Sequence, residues 1–305
     1  MPGENNNQGR FAKNRQVSRL LEKYDKNYKK LLVIPIVMLM LSIGVISYKY
    51  STTGDFVDKD ISLKGGITIT APYKDIDVPN LNAYLSSEFP GSDISIRTLT
   101  KLGEKTELAI SSSDIGSNEL LNSLKARLGD LDYGVEEMGS SLGKSFFRET
   151  FIAILFAFLF MGIVVFFYFR QPIPSLAIVL SAFSNMVVTL AVINLMGVKL
   201  STAGVAAFLM LIGYSVDTNI LLSTNVLKRK GGEVIDRIFN GMKTGLAMTS
   251  TTVTAIVIAY IFSQSAALSQ IMLILIIGLL MDVLNTWVQN AGILRLYLER
   301  GAKNE

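Results

Sequence analysis

Two aspartates, Asp217 and Asp282, are the residues best suited to chemistry, because each lies inside a long apolar stretch. Placing an aspartate at the centre of a membrane helix costs about 2.5–3.5 kcal/mol, so such a residue indicates a functional site by default. A carboxyl group removed from water favours its neutral form, and its protonation can therefore change with local hydration. The two aspartates are candidates for ion coupling.

Polar residues accompany both aspartates at helical spacing. Helical periodicity places on shared faces Gly213, Tyr214, Asp217, Thr224 and Asn225 in one helix, and Gly278, Asp282, Asn285, Thr286, Gln289 and Asn290 in another. A third helix adds a hydroxyl-rich run, Thr249, Ser250, Thr251, Thr252 and Thr254. The glycines four residues before the aspartates favour close helix packing. Packed together, these faces predict a polar, hydratable seam.

This seam has two interpretations. The aspartates could be protonated or hydrogen-bonded and simply hold helices together, or they could form a proton or ion path. Two polar stripes, each centred on an aspartate, favour the path. No lysine or arginine lies deep in a span to neutralise either carboxylate, since Lys243 and Arg229 lie near helix ends.

Several kinds of chemistry are excluded by composition. The chain has no cysteine and no histidine, which excludes disulfides, thiolate chemistry and imidazole catalysis or metal ligation. It also has no GxxxxGK[ST] nucleotide-binding motif. We therefore expect no metal site, no cofactor and no enzymatic activity, and any energy input must come from an ion gradient or from a partner.

Six apolar stretches are long enough to position these residues in a membrane, since about 20 residues cross the hydrocarbon core. The predicted spans are Leu31–Tyr48, Phe151–Phe169, Pro174–Met196, Thr202–Leu227, Gly245–Phe262 and Ala266–Leu294. The last stretch exceeds the length of a crossing, so we expect its end to emerge along the interface. The sequence predicts a polytopic α-helical membrane protein with six transmembrane helices.

Basic residues set the orientation. Eight lysine and arginine residues between Arg10 and Lys30 fall on one side of the membrane. The same side holds Arg170, Lys228, Arg229, Lys230, Arg237, Lys243, Arg295, Arg300 and Lys303. The opposite short loops hold only Lys199. By the positive-inside rule, both termini are predicted to be cytoplasmic in a multi-pass plasma-membrane protein.

The predicted organisation has five parts. They are a basic cytoplasmic segment (1–30), the first span (31–48), an extracytoplasmic α+β domain with its connection (49–148), spans two to six (149–296) and a cytoplasmic tail (297–305). The basic segment could bind nucleic acid, but a span follows it directly, which favours anionic membrane lipid as its partner. A cleaved signal peptide is not expected, because Leu31–Tyr48 lacks a small-residue cleavage site at its end.

The predicted domain at 49–148, called the insert from here on, alternates strands and helices. The expected elements are a strand at Ile61–Ala71, a helix from Pro79 to Pro90, strands through Ile94–Thr98 and Leu108–Ile110 joined by a turn at Leu102–Lys105, a helix capped by Ser117 and ended by Gly129, and a strand at Tyr133–Met138. The order βαββαβ suggests a ferredoxin-like fold. The scattered carboxylates form no catalytic constellation and favour an interaction or moving domain over an enzyme.

Several segments together resemble one family. They are Gly213-Tyr214-Ser215-Val216-Asp217-Thr218-Asn219, Thr249-Ser250-Thr251-Thr252, Asp282-Val283-Leu284-Asn285-Thr286-Trp287 and the Gly65-Gly66 pair of the insert. They are similar to the SecD/SecF proteins of the Sec export pathway, related to the resistance–nodulation–division transporters, and most similar to archaeal members of the SecF branch. The six spans and the insert after span one also resemble that branch.

The resemblance implies a partner and a mechanism. It implies a SecD-like subunit, the Sec translocation channel and exported polypeptides as partners, with proton flow driving motion of the external domain. Asp217 would be the main coupling carboxylate and Asp282 its partner or relay. The implied orienting or water-binding residues are Asn219, Asn285 and Thr252.

Two other functions remain open from the residues alone. An intramembrane aspartyl protease also needs two membrane aspartates sharing a proton, but Gly278–Asp282 lacks the tight GxGD form and no Pro-Ala-Leu element follows. A half-transporter exporting lipid or small molecules is the second, although exporters of this superfamily are usually about twice this length with two inserts.

Overall fold

The computed structural model describes residues 27–73, 76–101, 104–229, 233–263 and 265–301. Most of the predicted basic segment and the end of the predicted tail fall outside these ranges. So do Leu102 and Gly103, half of the predicted hairpin turn.

Six helices in the described ranges are long and apolar enough to cross a membrane, which confirms the predicted number of membrane helices. Their helical cores are α1 (Val33–Thr53), α5 (Ser140–Phe169), α6 (Pro172–Leu195), α7 (Thr202–Leu227), α8 (Val234–Phe262) and α9 (Ala266–Leu284). Three begin before the predicted span: α5 at Ser140, α8 at Val234 and, by two residues, α6 at Pro172. α6 begins with a proline, which suits a first helical turn that needs no amide donor there.

The last membrane helix changes its winding part-way. α9 continues into a π-helix at Asn285–Asn290, which leads into α10 (Ala291–Gly301). A π-helix bonds each amide to the carbonyl five residues back, so it turns side chains away from the α-helical register, and such turns occur often at functional sites. Five of its six residues are buried.

The described residues of the insert form two longer helices, one short helix and a four-stranded antiparallel sheet. Its elements in chain order are α2 (Ile61–Lys64), β1 (Gly66–Pro72), α3 (Val78–Glu88), β2 (Ile94–Lys101), β3 (Glu104–Ser112), α4 (Ser117–Leu128) and β4 (Gly134–Met138). The strand order in the sheet is β2-β3-β1-β4. In register, Ile69 of β1 lies between Ile110 of β3 and Val135 of β4, and both pairings of β1 are antiparallel.

One face of this sheet carries the core of the insert. Ile69 and Ile110 pack with Leu85 of α3 and Leu124 of α4, and all four side chains are fully buried. The alternate residues, such as Thr68, point to the opposite face, as strand periodicity requires. That polar face lines a cleft of about 510 Å³ together with the ends of the membrane helices.

The prediction that the first strand begins at Ile61 is wrong. Ile61–Lys64 forms the short helix α2, whose Leu63 and Lys64 amides both donate to the Asp60 carbonyl. The strand starts only at Gly66, where φ is +134°. The helix predicted to be capped by Ser117 begins at that residue, but its N-cap is Gly116 and no side chain caps it.

A segment that we call the stem, residues 56–62, fastens the insert to the loop between α6 and α7. The Asp60 amide donates to the Leu200 carbonyl at 2.8 Å, and the Leu200 amide donates to the Asp58 carbonyl at 2.6 Å. Asn194 Nδ2 donates to the Phe56 carbonyl at 2.8 Å. These bonds involve backbone atoms of the stem, so they fix its path without depending on its side chains.

Ion pairs add to this attachment. Asp93 of the insert lies 3.4 Å from Lys199 of the α6–α7 loop and 3.3 Å from Lys64 of α2. Partial burial alone would raise the pKa of Asp93, but the two lysines outweigh it and hold that pKa below its ordinary value. The paired charges join the sheet to the membrane body at its surface.

Gly66→Ala is predicted to destabilise the insert by about 2–4 kcal/mol, because an added Cβ would overlap the Ser112 carbonyl and because the φ of +134° strains any L side chain. Hydrogen–deuterium exchange of the purified chain should show faster exchange in β1 and β3. Gly91→Ala is the matched control, since Gly91 also has positive φ but a Cβ there meets nothing within 4 Å. Equal effects of the two substitutions would contradict the role assigned to the Ser112 contact.

Candidate functional site

Asp282, near the end of α9, is the central residue of a buried polar cluster. Only 1% of its surface is exposed. Its Oδ1 accepts hydrogen bonds from Ser215 Oγ at 2.5 Å and from Asn185 Nδ2 at 3.4 Å. Its Oδ2 accepts from Thr218 Oγ1 at 2.7 Å. These donors come from α6 and α7 and are all neutral, so hydrogen bonds and not an ion pair hold the carboxyl group.

The cluster extends along the π-helix. Thr286 Oγ1 lies 3.4 Å from Thr218 Oγ1, and Asn290 Nδ2 donates to Asn219 Oδ1 at 2.6 Å. Gln289 Nε2 donates to Ser184 Oγ at 3.0 Å. We call this cluster the Asp282 network; its members are Ser184, Asn185, Ser215, Thr218, Asn219, Asp282, Thr286, Gln289 and Asn290. It joins three membrane helices through side chains that are almost completely buried.

Close helix packing makes the network possible. A Cβ added to Gly278 would lie 2.5 Å from the Leu211 side chain, so α9 and α7 approach closely one turn before Asp282. Gly245 of α8 allows the Trp287 ring to lie directly against its backbone. Small residues at these two places let α9 approach α7 closely and let the π-helix approach α8 closely.

Asp217 lies outside the network. It is exposed on α7, as is Gly213 one turn earlier, where an added Cβ would meet nothing within 4 Å. Within the described part of the chain, Asp217 has no recorded hydrogen bond or ion pair. On a helix with about 100° per residue, Asp217 points away from Ser215, which bonds Asp282. The two aspartates are therefore on opposite sides of α7 and do not form one seam within a single copy.

A family model and several similar proteins with known names point to the same family. Residues 122–300 match the family described as "Protein export membrane protein SecD/SecF, C-terminal". The protein-export membrane protein SecF of Pyrococcus furiosus is 38% identical over 272 residues, covering 89% of this chain and 92% of that protein. The chain belongs to the SecD/SecF family. SecF of Methanocaldococcus jannaschii is also 38% identical, over 288 residues that cover 90% of this chain and 96% of that protein.

Solved structures share the fold of this SecD/SecF family member. SecDF of Thermus thermophilus, described as a translocon-associated membrane protein, superposes with a TM-score of 0.71 at 17% identity over 90% of this chain. SecDF in a super-membrane-facing form gives a TM-score of 0.62 at 18% identity over 92% of this chain. The chain spans 38% and 39% of those longer proteins, so it corresponds to one part of each.

The other residues expected in the seam are divided between interior and surface. Thr249 and Asn225 are buried; Tyr214, Thr224 and Thr252 are half-buried; Ser250 and Thr251 are exposed. Asn225 Nδ2 donates to the Leu221 carbonyl and Thr251 Oγ1 to the Met248 carbonyl, both within their own helices. Among the described residues, the hydroxyl-rich run of α8 has no recorded hydrogen bond to the Asp282 network.

The sequence reasoning missed the contribution of α6. Ser181, Ser184, Asn185 and Thr189 are all fully buried. They follow one another at i, i+3, i+4 and i+8, the spacing of one helix face. That pattern was available in the sequence and would have predicted a third polar face. Ser215 and Thr218 belong to the segment Gly213–Asn219 that resembles the family, but the sequence analysis assigned no role to either residue.

Gly245→Ala is predicted to alter the environment of Trp287, because a Cβ there would overlap the indole ring. Trp287 is the only tryptophan of the chain, so its emission reports this position alone. We expect a shifted emission maximum and a stability loss of about 1–3 kcal/mol from overpacking. Gly213→Ala, which adds the same methyl group in open space, should leave the emission of the purified chain unchanged. An unshifted spectrum for Gly245→Ala would contradict this packing.

Proposed function

We propose that the chain is an accessory subunit of the Sec translocation machinery that acts with a SecD-like subunit to promote protein export across the plasma membrane. Family membership supports the export role, since its relatives are named protein-export membrane proteins. The observation that carries the coupling mechanism is the outward-facing carboxylate of Asp217. It also disfavours the protease hypothesis, because a protease would need Asp217 and Asp282 side by side.

The surface around Asp217 supports a partner within the membrane. An aspartate on a membrane helix is costly unless it faces protein or water. Gly213 leaves open space beside it, and small residues allow a second helix to approach closely. A SecD-like subunit packed on this side of α7 would remove Asp217 from lipid and supply its missing partners. In our proposal, this contact contains the main coupling carboxylate.

Helix α7 would carry the coupling. It presents Asp217 on one side, and on the other Ser215 and Thr218 bond to Asp282, the proposed relay. A change in protonation at either carboxylate changes the forces on this one helix. Asn219, Asn285 and Thr252 are proposed as orienting or water-binding groups. The first turn of α7 reaches the stem, since the Thr202 amide donates to Ser62 Oγ at 3.1 Å.

The insert is proposed to be a ferredoxin-like domain that the membrane body moves. The chain order βαββαβ and the antiparallel sheet order β2-β3-β1-β4 support this assignment. Its polar sheet face and the cleft below it would meet exported polypeptides or neighbouring subunits. The Gly65-Gly66 pair, at the start of β1, would set the angle between the stem and the sheet. The proposed energy source is the proton motive force.

Single cysteines provide a direct test of orientation, because the natural chain has none. Ser86 is exposed on α3 of the insert, and Asp236 is exposed in the first turn of α8. A membrane-impermeant maleimide added to intact cells should label Ser86→Cys but not Asp236→Cys, which should react only after the membrane is opened. The reverse pattern would contradict cytoplasmic termini and an extracytoplasmic insert.

Asp217→Asn is predicted to reduce export several-fold and to remove its dependence on the proton gradient, because an amide cannot exchange a proton. The chain should still fold and co-purify with the SecD-like subunit, since an asparagine side chain has nearly the same shape as an aspartate. Secretion of a reporter in cells, measured with and without an uncoupler, provides the readout.

Asp236→Asn is the matched control, because it neutralises an exposed aspartate at the end of a helix outside the proposed contact. It should leave both export and uncoupler sensitivity unchanged. Normal, gradient-dependent export by Asp217→Asn would refute the coupling role. Loss of co-purification in that variant would instead indicate that Asp217 serves assembly.

A further inference from the structure

The cleft between the insert and the membrane helices has two walls of different character. Its volume of about 510 Å³ is within the range that holds ligands of moderate size. One wall is the polar face of the sheet, and the other is formed by the starts of α7 and α9 with the end of α8. Four of the described residues that line it are charged: Asp60, Arg97, Glu107 and Glu136.

The charge of this lining is negative. Arg97 and Asp60 form an ion pair with each other, so their charges offset. Glu107 and Glu136 are exposed, and neither has a recorded ion pair or side-chain hydrogen bond within the described part of the chain. One positive and three negative side chains leave two carboxylates without a counter-charge. Electrostatic complementarity therefore favours a ligand that carries positive charge.

The strand register places these two carboxylates at opposite ends of the sheet face. Glu136 lies beside Thr68 of β1, and Glu107 lies beside Pro72 of the same strand. Four residues of a strand span about 13 Å, and β3 and β4 on either side of β1 add a sideways offset of about 10 Å. In an extended polypeptide, side chains four residues apart point the same way and are also about 13 Å apart. The long side chains of lysine or arginine can cover the sideways offset.

The space between the two carboxylates suits a peptide backbone. On the sheet side, Ala109, Thr70 and Gly134 lie in one row across β3, β1 and β4, and none of them is large. Among the described residues of the opposite wall there is no lysine or arginine that would repel a basic segment. That wall instead offers hydroxyl groups without a recorded side-chain hydrogen bond in the described chain, which can bond to a backbone of any sequence; they belong to Thr202, Ser265 and Ser269.

We propose that this cleft binds extended segments of exported polypeptides that carry lysine or arginine four residues apart, with Glu107 and Glu136 pairing the basic side chains. The inference rests on the proposed function, which places the insert outside the membrane and an exported chain beside it. A membrane potential that is negative inside pulls basic side chains back towards the cytoplasm. Carboxylates on the outer side would hold such side chains after they have crossed and so oppose backward sliding of the exported chain.

The test measures binding of fluorescent peptides to the full chain in phosphatidylcholine nanodiscs, which carry no net lipid charge. Three glycine- and serine-rich peptides are compared: one with two lysines four residues apart, one with glutamates at those positions and one with neither. We expect the anisotropy of the lysine peptide alone to rise. Its affinity should fall as salt is added, because salt screens exposed charges. Reconstitution with the SecD-like subunit should leave this binding intact.

Substitutions locate the binding in the cleft. Glu107→Gln and Glu136→Gln should each weaken binding of the lysine peptide by about two- to fivefold, as for the loss of one exposed ion pair. Glu119→Gln is the matched control, because it neutralises an exposed glutamate of α4, on the other side of the sheet. Ala109→Phe keeps every charge but fills the middle of the cleft, so it should abolish binding. Unchanged hydrogen–deuterium exchange of β1 and β3 would verify that the sheet of this variant is intact.

Equal binding of the three peptides would overturn the proposal, as would wild-type affinity in the double variant Glu107→Gln/Glu136→Gln. Equal binding of the lysine peptide to empty nanodiscs would overturn it by assigning the binding to lipid. Loss of binding when the SecD-like subunit is present would overturn it by assigning the cleft to a contact between subunits. Export and its gradient dependence are measured separately with Asp217→Asn, so failure of either proposal is distinguishable from failure of the other.

Discussion

The hydrocarbon core of a membrane supplies no hydrogen-bond partner, and this constraint governs the arrangement of the whole bundle. A carboxyl group at Asp282 can remain there only if neighbouring helices bring donors to it. Asn185 of α6 and Ser215 and Thr218 of α7 meet that need, with Gly278 permitting the required approach. The relative positions of three helices are therefore fixed by the side chain of Asp282, whose hydrogen-bond partners must all come from the protein.

The same constraint leads to the opposite result at Asp217. Here the side chain is exposed and has no recorded hydrogen bond or ion pair within the described chain, and Gly213, one turn earlier, leaves the surface open. Helix α7 thus carries the unsatisfied carboxylate of Asp217 on one side and bonds the satisfied carboxylate of Asp282, from α9, on the other. This asymmetry supports the proposed contact of α7 with a SecD-like subunit. The longer SecDF proteins, of which this chain spans 38–39%, share the fold.

The sequence predicted the six membrane helices and the element order of the insert, because hydrophobic length and periodicity depend on local residues. It did not predict that Asp282 is buried while Asp217 is exposed. A helical wheel gives the angles between side chains of one helix, but it does not show which face of that helix packs against a neighbour. Ser215, Thr218 and Asn219 make the other face of α7 equally polar. The π-helix could not be predicted either, because the residue types of Asn285–Asn290 do not distinguish a π-helix from an α-helix. Ile61–Lys64 resembled a strand because its four residues are too few to show a helical period.

The stem has a mechanical consequence. The insert is connected covalently to the ends of α1 and α5, and the backbone bonds of Asp58 and Asp60 to Leu200 provide a third point of attachment. A rigid body held at two points can swivel about the line between them, whereas one held at three cannot. In the proposed mechanism, a tilt of the α6–α7 hairpin would therefore lift or lower one edge of the insert. In that mechanism the stem would act as a lever arm that pivots at the connections of the insert to α1 and α5.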